Sequence, residues 1–211
     1  RQASIQGNPA MTSKATSSEN PSVKSILAAL AKRVPKSRHA EAQGFANAFY
    51  QRMGSDDAVQ HGTDGWAALA ADMLEFARTR KRGRANVRLF NPTLKEHGWE
   101  SAHTVVQVVN DDMPFLVDSV TMALSEQGIG VHVLGHPVMP ITRDKAGKLA
   151  AVGEGALESF IHLEVDRQPQ DVMAAIKAGI EEVLADVRAM VADWEPMHAR
   201  MLAVADEITE R

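Results

Sequence analysis

Residues 103–144, HTVVQVVNDDMPFLVDSVTMALSEQGIGVHVLGHPVMPITRD, spell out strand, acidic turn, helix and strand in succession. The run TVVQVV (104–109) is β-branched except for Gln107, the pattern of a short strand buried on both faces. Asn110 and Asp111 end it. Asp112 stands where a helix cap is wanted, and Pro114 falls in the first turn, where proline forfeits no hydrogen bond, so a helix is expected to start near Met113. Phe115, Leu116, Ser119, Val120, Ala123 and Leu124 recur at helical spacing, while Asp118, Thr121 and Gln127 take the opposite side and Gly128 supplies the stop. Such a helix lays one apolar stripe on a sheet. Residues 131–141 return to β-rich sequence, but Gly135, Pro137 and Pro140 interrupt it, so this strand is expected to be bent, bulged or at an edge.

Outside this stretch the composition is that of an ordinary globular chain. The 211 residues are 45% hydrophobic, enough for one large domain or two small ones. A formal charge of −4 with interspersed signs offers no basic field for nucleic acid, and the one basic cluster, RTRKRGR (78–84), reads as a solvated helix end. The absence of cysteine excludes disulfides, thiol catalysis and cysteine-bound zinc. No apolar run approaches the roughly 20 residues of a membrane span, and the start has no signal-peptide core. No membrane contact is expected, and a cytoplasmic location is.

Residues 1–20 are polar and nearly free of large apolar side chains, so they are expected to form a disordered leader, with Met11 the native start. Residues 21–82 carry three amphipathic helical patterns: 21–34, ended by Pro35; about 37–53, with Phe45, Phe49 and Tyr50; and about 64–82, with Trp66, Leu69, Met73, Leu74 and Phe76. The turn chemistry of 54–63 separates the last two. After Gly83, NVRLF (86–90) is an expected strand, and Trp99 is expected to anchor the following loop in the core. Residues 148–155 are weakly patterned. Residues 157–165 alternate, with Ile161, Leu163 and Val165 on one face and Phe160, His162 and Glu164 on the other, a strand expected to be covered mainly on one side. A long helix follows to Trp194, and after Pro196 a separate helical extension over 195–211.

Two pieces of the opening stretch, VVQVVNDDMPFLVDSVTMAL and HVLGHPVMPITRD, closely resemble the amino-terminal segment of the large bacterial NAD-dependent glutamate dehydrogenases, whose first module is ACT-like. The resemblance runs over about 87–194, and NDDMPFLVDSV is its most specific part. It implies an α+β module over 85–194, a ferredoxin-like (ACT-like) sheet with helices on one face, preceded by the amino-terminal helical layer. It also implies a much longer cytoplasmic parent that oxidatively deaminates L-glutamate to 2-oxoglutarate with NAD, while this part holds no cofactor and no catalytic residue. Later domains of the same chain, further copies in a homo-oligomer and an amino-acid effector are the implied partners. The ACT order ends on a strand after its second helix, and none follows here. The strand at 86–90 is expected to fill that edge.

The residues themselves offer two constellations. Asn110, Asp111, Asp112, Met113, Pro114 and Phe115 occupy the place of an ACT ligand loop, which resembles D-x-P-G-x-L. Asp112 and Pro114 match it, but Phe115 stands at the glycine and the leucine comes one place early, at Leu116. A regulatory and assembly module is therefore the first expectation, and a free-standing amino-acid sensor the alternative. Two aspartates supply too few oxygens for a hard cation. The second constellation is a sheet face carrying His132, Leu134, Phe160 and His162, expected as an interface. His136 shares strand parity with His132, so these two imidazoles and His162 could converge as a zinc or pH-sensing group. Gly135 and Pro137 break that parity, and no metal is expected. There is no G-x-G-x-x-G, P-loop, nucleophile elbow or H-E-x-x-H.

Overall fold

The computed structural model describes residues 22–50 and 61–209. The expected leader (1–20) and most of the expected turn at 54–63 lie outside the described residues. The helices are α1 (Val23–Leu30), α2 (His39–Tyr50), α3 (Gly62–Phe76), α4 (Leu94–His97), α5 (Leu116–Glu126) and α6 (Met173–Thr209). The strands are β1 (Asn86–Phe90), β2 (Thr104–Asp111), β3 (Val131–Gly135), β4 (Val138–Arg143), β5 (Leu149–Val152) and β6 (Ala156–Val165).

The β-branched run becomes β2, buried on both faces as its composition requires. It pairs antiparallel with β6 along its whole length and with β1 on its other side. β1 thus occupies the edge that the missing final strand would have held. β3 and β4 both pair with β6, β3 against its end and β4 against its start, so residues 131–143 form one bent strand broken at His136 and Pro137. β5, which the weak pattern of 148–155 concealed, closes the far edge against β4.

The sheet separates two cores. On one face α5 and α6 pack Leu116, Val120, Leu124, Ile176 and Ile180 against Val106, Val108, Ile161 and Leu163. On the other, α1 to α3 bring Leu30, Phe45, Phe49, Trp66 and Met73 onto Val105, Val109, Met139 and Phe160, with Trp99 buried among them. The amino-terminal helices therefore share a core with the sheet. β6 is consequently buried on both faces, and its expected open face, with Phe160, His162 and Glu164, is sealed.

Other boundaries depart from expectation for local reasons. α3 stops at Phe76 because the next residues leave it to pair with the β4–β5 hairpin: Thr79 bridges Lys148, and the Arg80 N–H donates to the Gly147 carbonyl at 2.9 Å. Gly147 suits that contact, since with φ +82° a Cβ there would lie 2.3 Å from the Arg80 carbonyl oxygen. The expected break at Pro196 does not occur. α6 runs through it, because one proline removes a single helical N–H while the turns on either side keep theirs. Asp112 does not cap α5. Phe115 holds the cap position with φ +69°, the left-handed conformation natural to the glycine it replaces, at a cost of about 1–2 kcal/mol for a residue with a Cβ.

Candidate functional site

Alternation along β6 places Glu158, Phe160, His162 and Glu164 on the face that α1 to α3 cover, and the two carboxylates are 2% and 0% exposed. A carboxylate taken out of water needs charge-assisted partners. Each end of β6 therefore becomes a polar knot between the sheet and the amino-terminal layer.

At the first knot, Arg143 grips Glu158 with two bonds, Nε to Oε1 at 2.7 Å and Nη2 to Oε2 at 2.8 Å, and its Nη1 donates to the carbonyls of Ala77 and Gly147. Arg80, only 2% exposed, donates from Nη2 to Glu158 Oε1 at 2.7 Å and to Asp111 Oδ1 at 2.6 Å. Asp111 receives the Gly83 N–H at 3.0 Å, and Arg188 of α6 approaches its Oδ2 at 2.8 Å. Arg188 also donates to Asn110 Oδ1 at 2.6 Å. Burial alone would raise the Asp111 carboxyl, but the Arg80 hydrogen bond and charge, the Gly83 amide and Arg188 outweigh it and hold the group below its ordinary value. A cleft of about 640 Å³ opens over this knot, lined by Arg80, Lys81, Arg82 and Lys145 among others.

The second knot surrounds Glu164. His61, at the start of α3, lies 2.6 Å from Oε1, the Ser101 hydroxyl donates to Oε2, His103 stands 3.5 Å from Oε2, and His162 stands 3.7 Å from Oε1. The other ring nitrogen of His162 meets Gln107 at 3.2 Å, and Gln107 accepts from Arg88. Burial would raise the Glu164 carboxyl, yet the contacts of His162, His61 and Ser101 prevail and hold it well below the usual carboxylate range. A group depressed in the folded state contributes stability that is fully present above its unfolded value, near pH 4.3, and is lost as pH falls through the folded value. The stability difference between the native chain and Glu164→Gln is therefore expected to narrow progressively below about pH 4. Urea unfolding of both proteins at a series of pH values measures it, and a constant difference would sink the assignment.

The residues expected from sequence fall as follows. Asn110 and Asp111 belong to the first knot. Asp112, exposed, accepts from the Ser159 hydroxyl at 2.6 Å. Met113 packs beside the α5–α6 core, and Pro114 and Phe115 are exposed, Phe115 at 57%. The loop's acceptors are thus turned onto arginines and a serine of the fold. The expected interface does not form a single surface. Phe160 and His162 are completely buried beneath α1 to α3, Leu134 pairs with Leu163 and so faces the opposite side, and His132 sits at the bulge between Val131 and Val133, bonded to Asp166 and stacked on His103 at 4.3 Å. His132, His136 and His162 do not converge: His136 contacts the Ser159 hydroxyl instead. Among the described residues no group of three or more His, Asp or Glu side chains is placed to hold a metal ion.

The sheet order, with β1 closing the edge beside β2 and the acidic loop leading from β2 into α5, defines an ACT-like α+β module. The family described as "Glutamate dehydrogenase, ACT1 domain" matches residues 45–180, and the chain belongs to that family. It is 34% identical over 194 residues to the NAD-specific glutamate dehydrogenase of Halomonas elongata, covering 88% of this chain and 12% of that protein. It is likewise 34% identical over 164 residues to the NAD-specific glutamate dehydrogenase of Pseudomonas aeruginosa, covering 74% of this chain and 10% of that protein. The chain thus spans about a tenth of the length of these relatives. No helix among the described residues is long and apolar enough to cross a membrane.

Proposed function

We propose that this chain is the amino-terminal regulatory and assembly module of a cytoplasmic NAD-dependent glutamate dehydrogenase, and that the parent deaminates L-glutamate oxidatively to 2-oxoglutarate through domains outside these 211 residues. The observation that carries the reading is the use made of the loop 110–115. Its acceptors tie the segment after α3, the end of β2 and α6 together through Arg80 and Arg188, which supports a role for the loop in joining the sheet to the long helix. The Ser101 hydroxyl of the second knot donates to Glu164, a carboxylate held well below its usual range and so too weak a base to activate a serine, and His61 and His103 face that carboxylate as well. The purified chain supplied with L-glutamate and NAD is expected to form no NADH above background. Reproducible turnover that scales with protein concentration would overturn the non-catalytic reading.

A further inference from the structure

The first half of α6 is buried on the sheet and α5, and the second half extends past them. Ile176, Ile180, Val183 and Val187, spaced four, three and four, pack into the core. The same alternation continues without a break through Met190, Trp194, Met197, Met201, Val204 and Ile208. These six are 51%, 60%, 58%, 62%, 37% and 70% exposed. A four-three apolar repeat is the seam of a coiled coil, and it fits another helix better than a strand or a small ligand because each side chain must enter a gap between turns. Pro196 falls on the outer side of the helix, away from the seam.

We infer that the projecting end of α6 pairs in parallel with the same segment of a second copy of this chain. The inference rests on the assembly role proposed above and names the surface that would carry it. Over about 28 Å of helix the six side chains expose on the order of 600 Å² of apolar area per copy, approaching the roughly 800 Å² that one side of a standard interface contributes. The residues flanking the seam select the orientation. Asp193, Arg200 and Glu207 lie on one flank, and Val191, His198 and Ala205 on the other. In-register parallel pairing sets Asp193 beside the partner's His198 and Arg200 beside the partner's Ala205. The antiparallel arrangement that overlaps all six positions sets Asp193 beside the partner's Glu207 and Arg200 beside the partner's Arg200, like charge against like.

Sedimentation of the 211-residue chain over a concentration series is expected to show a dimer, and Met197→Glu combined with Met201→Glu is expected to weaken it at least tenfold with the circular dichroism unchanged. The chain has no cysteine, so Met201→Cys introduces a single thiol, and mild oxidation is expected to join two copies through it. A chain that stays monomeric at every concentration overturns the inference, as does a dimer that the double substitution leaves intact. Protection of 190–208 from hydrogen exchange in the longer protein, without cross-linking between copies, would assign the seam to a following segment and also overturn it. None of these failures touches the non-catalytic reading, which only NADH formation tests.

Discussion

Glu158→Ala is expected to destabilise the chain by about 3–5 kcal/mol, a large part of the 5–15 kcal/mol that holds a typical domain together. Glu158 is the carboxylate shared by the guanidinium groups of Arg80 and Arg143, and both arginines are nearly sealed from water, with side-chain exposures of 2% and 9%. Removing it leaves Arg143 with only backbone carbonyls, and Arg80 with the Arg84 and Lys81 carbonyls and Asp111 as its one carboxylate, so two buried guanidinium charges share a single counter-charge. Glu158→Gln keeps the volume and tests the charge by itself. It is expected to lose most of the same amount, because an amide cannot accept at both atoms from the bidentate Arg143. Glu75→Ala serves as the comparison. Glu75 pairs with Arg38 at 3.1 Å but its side chain is 64% exposed, and the expected cost is below about 1 kcal/mol. Urea midpoints of the three variants measure the ranking, and equal costs for Glu158→Ala and Glu75→Ala would show that the buried knot holds nothing.

The parts of the fold that were legible in sequence are those that a local pattern dictates. The β-branched run before Asn110 has the composition and length of a doubly buried strand, and the four-residue spacing through Val120 and Leu124 lays one apolar stripe on a neighbouring layer. The edge position of β1 followed from counting strands. What stayed hidden depends on which distant segment covers a surface. His162 and Glu164 look like solvent-facing residues of an alternating strand, and nothing local says that His61, about a hundred positions earlier, will be laid on them. One signal was present: Glu158, His162 and Glu164 recur at a single parity in a strand whose neighbour Gln107 is also polar, and a polar stripe beside Phe160 under an amphipathic layer must be neutralised from that layer. The loop misled in the opposite direction. Asp112 before Pro114 has the form of a cap, but Ser159 on the adjacent strand competes for its carboxylate, and the turn places Phe115 at the cap instead.

Phe160→Ala is expected to cost about 3–5 kcal/mol and to loosen both layers together. Phe160 lies between the two knots of β6, is completely buried, and meets the ring of Phe45 from α2 edge to face at a centroid separation of 5.2 Å. Phe45 in turn stacks on Phe49 at 5.7 Å, so deleting one ring leaves a cavity bounded by the sheet on one side and by α2 on the other. Were residues 21–82 a separate domain resting on a finished module, the loss would appear as early release of the helices while the sheet kept its midpoint. A shared core predicts otherwise: the far-ultraviolet signal of the helices and the fluorescence of Trp99, buried at the sheet and read with Trp66 and Trp194 replaced by phenylalanine, should move to lower urea by the same amount and stay coincident. Proteolysis near Gly83 provides the second measurement, because cutting the connection between layers that share a core unfolds both halves, whereas two stable fragments after cleavage would show that the layer folds on its own.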